Sequence, residues 1–320
     1  MMNVRTSSLL ILGSSLLTPR RLLPALPLLL TASCLADPTT WLGGSTQRGG
    51  KATYEVVDGE LVGTAVANTP NSFLCTNREY GDFTLEFEFL ATPGLNSGVQ
   101  IRSHALENET TFTDATGKVV KIPAGRVHGY QVEIDTDPQY QTNRQWTAGI
   151  QEEGRRAWLF PGLAGGEKAS FTEQGRRLTK VGGWNRVRVE AVGPHIRTWL
   201  NGEARADMWD GDTRSGFLGF QIHAIRKPEL VGATCRFRDV RLEEVPANTL
   251  TKGEREDGWE LLFDGKTLAG WTSHRGGNAP TKGWTVEGGV LSVSAGGGDL
   301  VSSRTYRAFE LTAEFRLTPG

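Results

Sequence analysis

The chain has 320 residues, with 35 Lys and Arg against 36 Asp and Glu, for a net charge of -1. No basic stripe breaks that balance, which excludes nucleic acid as the expected partner. Forty glycines and nine tryptophans, against an average glycine share of about 7%, point to a turn-rich, all-β chain with aromatic surfaces.

Residues 1–36 read as an export signal. Arg20-Arg21 precede the apolar run Leu22–Leu30, and small residues follow as far as Ala36. The run is too short to span a bilayer comfortably. Cleavage after Ala36 gives an exported periplasmic or extracellular protein. Cleavage before Cys34 instead leaves a lipid-anchored N terminus, the one expected route to a membrane.

From residue 38 to 245 the pattern is strand after strand, broken by glycine. Tyr54–Val57 and Glu60–Val62 flank Asp58-Gly59, a strong hairpin signal. Phe83–Leu90 (FTLEFEFL) alternates, placing Phe83, Leu85, Phe87 and Phe89 inward. Residues 103–127 form a long, Thr-rich insertion without periodicity. Only Gly165–Arg177 has weak helical character. Trp184–Ala191 alternates again, and Ile196–Leu200 is closed by Asn201-Gly202, a second hairpin signal. About ten short strands at regular spacing predict a sandwich or jelly roll. Cys75 and Cys235 each sit in an alternating apolar segment and read as two separate buried thiols.

Three strands have an unusual wet side. His128–Asp137 (HGYQVEIDTD) sets Gln131, Glu133 and Asp135 opposite Val132 and Ile134. Val99–Arg102 sets Gln100 and Arg102 opposite Val99 and Ile101, and Phe220–His223 sets Gln221 and His223 opposite Phe220 and Ile222. If the three share a sheet, these polar residues converge on one patch suited to a polyol, a metal or proton transfer. Three half-exposed strands lying apart would produce the same alternation.

Residues 246–258 have few apolar side chains and read as a linker. The chain then repeats itself: Trp271–Ser292 aligns without gaps on Trp41–Val62, and Phe309–Gly320 on Phe83–Gly94. Residues 259–320 are thus expected to be the first part of a second copy of the domain. A few strands of a sandwich leave unpaired edges and half a core, so this part should not be stable alone.

The segments YGDFTLEFEFLATPGLNSGVQIRS, HGYQVEID, WTAGIQEEGRRAWL, GGWNRVRVEAVGPHIRTWLNG and GFLGFQIHA, with LLFDGKTLAGW and WTVEGGVLSV in the second copy, resemble the 3-keto-disaccharide hydrolase family. The resemblance implies a concanavalin A-like jelly roll exported by bacteria and acting on glycosides whose C3 hydroxyl has been oxidised. It transfers the family pattern to Asn96, Ser97, Arg102, Tyr130, Gln131, Glu133, Asp135, Glu153, Arg155, Arg156, Trp158, Gln221 and His223. The first copy departs from it in having DPTTW where the family has FDGKTLAGW, and Gln151 and Ala157 where relatives have Tyr and Gly.

A C3 ketone acidifies the C2 proton, so a base there lets the C1 substituent leave by β-elimination, and water addition completes hydrolysis. Such a site needs a base near C2, a charge for the enolate oxygen and an acid or solvent path to the leaving group. His223 is the expected base, with Glu133 as its neighbour. Arg102, or a divalent metal ion held by Glu133, Asp135 and His223, is expected to carry the enolate charge. Glu153 or Glu152 is expected to protonate the leaving oxygen. Gln100, Gln131, Gln221, Asn96, Tyr130 and Arg155 are expected to contact the carbohydrate, with Trp146 and Trp158 stacking on sugar faces. Two other readings stay open. One is a non-catalytic carbohydrate-binding module. The other is an ordinary glycosidase using Glu133 and Asp135, whose Cα atoms on one strand lie about 6.5–7 Å apart.

Overall fold

The structure is a computed structural model that describes residues 10–12, 44–113, 117–137, 144–274, 276–279, 282–294 and 296–317. The expected export signal lies outside the described residues except for 10–12. The chain forms two units, Thr31–Glu244 and a second made of Met1–Leu30 with Val245–Gly320.

Strand β1 (Leu10–Leu12) belongs to the second unit. The first unit begins with β2 (Ser45–Gly49), β3 (Thr53–Val57), β4 (Glu60–Thr64), β5 (Ser72–Tyr80), β6 (Phe83–Ala91), β7 (Ser97–His104), β8 (Thr110–Thr113) and β9 (Val119–Ile122). It continues with β10 (His128–Ile134), β11 (Ile150–Glu153), β12 (Ala157–Phe160), helix α1 (Lys168–Leu178), β13 (Asn185–Val192), β14 (His195–Leu200), β15 (Glu203–Trp209), β16 (Gly216–Ile222) and β17 (Thr234–Glu244). One seven-stranded sheet runs β12-β11-β10-β7-β16-β5-β2 and the other β15-β14-β13-β6-β17-β4-β3. Neighbouring strands are antiparallel, and the two sheets form a concanavalin A-like jelly-roll sandwich.

The core lies where the inner faces meet. Strand β6 alternates as its sequence dictates, and Phe83, Leu85, Phe87 and Phe89 are fully buried. Val99, Ile101, Val132, Ile134, Phe220 and Ile222 join them from the other sheet. Both hairpin signals are realised: Asp58 and Gly59 have φ of 51° and 79°, and Asn201 and Gly202 51° and 92°. Positive φ at both central residues is what a type I′ turn requires. Cys235 lies in this core, whereas Cys75 joins Phe73, Val127 and Phe217 in a separate cluster. Both are free thiols pushed up to about 12 by burial.

Two segments carry more structure than their sequences suggest. The insertion 103–127 contains the hairpin β8–β9, whose β-branched residues pair Thr110 with Ile122 and Thr113 with Val119. The weakly helical stretch becomes α1, capped by Glu167, whose carboxylate accepts from the Ala169 and Ser170 amides at 2.8 and 2.7 Å.

In the second unit β1 pairs with β18 (Trp259–Leu261), β19 (Trp271–Ser273) with β22 (Leu300–Ser302), and β20 (Trp284–Glu287) with β21 (Val290–Val293). Hairpin β20–β21 falls at the positions the internal alignment pairs with β3–β4. The counterpart of β6 does not pair: Phe309, Leu311, Phe315 and Leu317 are exposed and outside any strand.

Candidate active site

Strands β10, β7 and β16 are consecutive neighbours, so the three wet sides do form one face. The register sets Gln131 opposite Gln100 and Glu133 opposite Gly98 on one side, and Gln221 opposite Gly98 on the other. The side chains form one directed chain. Ser103 Oγ donates to Gln100 Oε1 at 2.8 Å, and Gln100 Nε2 donates to Gln131 Oε1 at 2.6 Å. Gln221 Nε2 donates to the same Gln131 oxygen at 2.8 Å. Gln131 Nε2 then donates to Glu133 Oε2 at 3.0 Å, and Asn96 Nδ2 to Glu133 Oε1 at 2.5 Å. Gly98 makes room for this chain, because a Cβ there would lie 2.7 Å from the Gln131 side chain. A glycine inside a strand marks this kind of close approach.

Glu133 is 2% exposed. Burial pushes its carboxyl up to about 7; the Asn96 hydrogen bond opposes the rise and the charge of Asp135 adds to it. Asp135 is raised as well, chiefly by burial. Its backbone is pinned to the segment that follows: Thr147 Oγ1 and Gln145 Nε2 both donate to its carbonyl, at 2.8 and 2.5 Å. Among the described residues, Asp135 Oδ2, Gln221 Oε1 and Arg144 Nε, all around Glu133, are buried without a hydrogen-bond partner. Buried polar atoms are nearly always paired in folded proteins, so orphans gathered in one place mark where a ligand's polar groups belong.

The residue that sequence reading missed is Arg144. Its guanidinium lies over two indole rings, 5.3 Å from the Trp146 centroid and 5.1 Å from that of Trp158. The two rings meet edge to face at 4.6 Å. Trp146 is buried and donates through Nε1 to Thr172 Oγ1 of α1 at 2.8 Å. The segment beside it is fixed by Arg205, which donates to the carbonyls of Gln145 and Thr147 and lies over the Phe171 ring. The helix also approaches at Gly175, where a Cβ would meet the Gln145 carbonyl oxygen at 1.8 Å. Trp146 and Trp158 were expected to stack on sugars, but their faces hold Arg144.

Other expected site residues are placed elsewhere. Arg102 leaves the polar face because the β7–β10 register slips between His128 and Tyr130, and Arg102 takes φ of 45°. Such a bulge interrupts the alternation that would have aimed it outward. Its guanidinium is fully buried and donates to the carbonyls of Gly81, Gly193 and Ala191 and to Asp82. Tyr130 points to the core side and bonds Asp210. Arg155 lies over Phe112 and pairs with Asp212 and Glu152. Arg156 bridges Glu152 and Asp210, so this network braces the 210–212 loop rather than serving the polar face. Glu153 stays on the wet side, opposite Gly129, and is paired with Arg126 at 3.0 Å.

His223 ends the row and is exposed. Its Nδ1 lies 2.8 Å from the Ala224 carbonyl, and its amide donates to the Asn96 carbonyl at 3.4 Å. The imidazole makes no hydrogen bond to Glu133 or Asp135, which corrects the expectation that it is the base beside them. Nor do Asp135, Glu133 and His223 fit a divalent ion. Among the described residues no three His, Cys, Asp or Glu side chains are grouped to hold one. Both Glu133 oxygens already accept from amides, and a guanidinium stands nearby.

Fold and site together define a jelly-roll domain with a buried, protonatable carboxylate on its polar sheet face. The chain matches the family described as 3-keto-alpha-glucoside-1,2-lyase-like domain over residues 36–243 and again over 258–320, and it belongs to that family. A curated relative, the 3-keto-disaccharide hydrolase of Bacteroides thetaiotaomicron, is 33% identical over 73 residues, covering 20% of this chain and 25% of the relative. Among solved structures, the carbohydrate binding module CBM66 from Bacillus subtilis is similar over 63% of this chain and 96% of its own, at 18% identity and a TM-score of 0.34. A Bacillus subtilis protein with a galectin-like fold is similar over 67% and 95%, at 11% identity and a TM-score of 0.44.

Proposed function

We propose that this is a carbohydrate-active domain that cleaves 3-keto-glycosides, with Glu133 as the base that takes the C2 proton. One observation carries the reading: a buried carboxyl, oriented by two amides, is pushed up to about 7. A general base works best when its pKa lies near the working pH. Orientation without full charge compensation keeps it there. The family and the curated relative support a 3-keto sugar as the substrate class.

Glu133 as carboxylate takes the C2 proton, and the C–H electron pair moves into the C3 carbonyl to give an enolate. The pair returns to form the C1–C2 double bond as the C1–O bond breaks, and the leaving oxygen takes a proton from solvent. Water adding across that double bond completes hydrolysis. The exposed end of the row at His223 and half-buried Asn96 gives the sugar its way in.

The test supplies purified protein with a chromogenic 3-keto-glucoside and with its unoxidised parent. Turnover of the keto compound alone, reduced about 10²- to 10⁴-fold in Glu133→Gln, is the expected result. Cleavage of the parent would indicate an ordinary glycosidase, and tight binding without product a carbohydrate-binding module.

A further inference from the structure

We propose that Arg144 supplies the positive charge that stabilises the enolate oxygen formed when Glu133 removes the C2 proton. This rests on the reading above.

Three observations point to Arg144. First, among the described residues its guanidinium closes no ion pair, and its buried Nε has no partner. The guanidiniums of Arg155, Arg188, Arg197 and Arg238 also lie over aromatic rings, but each pairs with a carboxylate. Arg205 donates to four oxygens, and Arg48 lies over Phe217 of the separate Cys75 cluster rather than by Glu133. Second, two indole rings turn their faces to the cation at 5.3 and 5.1 Å and offer it no hydrogen-bond acceptor, so its N–H donors are left for another group. Third, its charge reaches both Glu133 and Asp135 and favours their ionised forms.

The chemistry uses that placement. Before reaction, the base itself carries negative charge within reach of Arg144, as the Glu133 carboxylate. Proton transfer neutralises Glu133 at the moment the C3 oxygen becomes anionic. The counter-ion of Arg144 therefore passes from enzyme to substrate, and the interaction with substrate is strongest in the transition state. An interaction of that kind accelerates the chemical step rather than uniform binding. The cation is also preorganised: α1 fixes Trp146 through Thr172 and fixes the following segment through Arg205.

The test compares wild type, Arg144→Ala, Arg144→Lys and Glu133→Gln of the full chain, each confirmed folded by near-ultraviolet circular dichroism and thermal unfolding. With a chromogenic 3-keto-glucoside, Arg144→Ala is expected to lose about 10²- to 10³-fold in kcat, with KM changed far less. Arg144→Lys should retain part of the rate, and added guanidinium ion should restore part of it to Arg144→Ala. The rate of C2 hydrogen exchange in D₂O on a 3-keto sugar lacking a leaving group should fall by a similar factor. Removing Arg144 also raises the Glu133 carboxyl further, so kcat is compared on the high-pH plateau of each protein's pH–rate profile, where Glu133 is ionised in both. A deficit that disappears there, or one confined to KM, overturns the proposal. If Arg144→Ala is unfolded, the neutral Arg144→Gln with unaltered kcat overturns it equally. Wild-type protein that neither turns over nor exchanges C2 hydrogen would overturn the base assignment instead. Wild-type activity that is lost in Glu133→Gln but intact in Arg144→Ala would overturn only the role of Arg144.

Discussion

Glu133→Gln should change the pH dependence of stability as well as activity, by an amount the structure fixes. The ordinary Glu133 value is 4.5 and the folded value about 7. At about 1.4 kcal/mol per unit, that shift is worth about 3 kcal/mol. Below the unfolded value both states hold the proton, and burial of the neutral acid carries no ionisation cost. Between about 4.5 and 7 the unfolded carboxyl releases its proton while the folded one keeps it, so stability falls as pH rises. Above the folded value the full penalty is present and constant. The glutamine that replaces it in the variant does not titrate. Its one amide nitrogen also faces a donor, Asn96 or Gln131, but that cost does not vary with pH and drops out of the comparison. Urea unfolding of both proteins from about pH 4 to about pH 8 should therefore show the variant gaining on wild type by about 3 kcal/mol, most of it across the acidic half of the range. A difference independent of pH would refute the raised carboxyl, and with it the reason for choosing Glu133 as the base.

Arg102→Met should destabilise the fold by about 3 kcal/mol, since it takes a donor from Asp82 and from the Gly81 carbonyl and leaves the buried carbonyls of Gly193 and Ala191 without the guanidinium. The folded fraction should keep near-normal kcat, as read by urea unfolding against specific activity. His223→Ala should leave the base limb of the pH–rate profile in place and kcat within about threefold of wild type, whereas a catalytic base would cost at least about a hundredfold. Chelator should not abolish turnover of the keto substrate in protein freed of metal, because the residues expected to hold an ion are not grouped to do so.

Much of the fold was legible because alternation with period two survives wherever one face is core. Phe83 to Phe89, Val132 with Ile134, and Phe220 with Ile222 read correctly for that reason, and the same rule put Gln100, Gln131, Glu133 and Gln221 together. Tyr130 was expected to contact carbohydrate from the family pattern, whereas the same alternation carried back from Val132 sets it toward the core, where it lies. Arg102 was not legible, because a bulge leaves no mark on a run as short as Val-Gln-Ile-Arg. Arg155 sits in a turn, where no period applies. Arg144 lies outside any alternating run; its only sequence signal is a basic residue two before a tryptophan. Its position depends on α1, a contact with no short-range signature beyond Gly175, the one residue small enough to meet Gln145.

The use of glutamine rather than a cation next to Glu133 follows from the same electrostatics. Gln131 receives two N–H donors on its oxygen, so a flipped amide would set its own N–H₂ against both and its carbonyl against the carboxylate. Its orientation is locked by neutral partners alone. A lysine or arginine in place of Gln131 could hold Glu133 as firmly, but its full charge would pull the carboxyl well below neutral and leave a weak base. Amides supply direction with only partial charge, so burial still dominates and the carboxyl stays near 7. The full charge is held instead by Arg144, on a separate segment anchored to a helix. The rigid sheet thus sets the basicity of the site, and the irregular segment beside it sets where negative charge can be received.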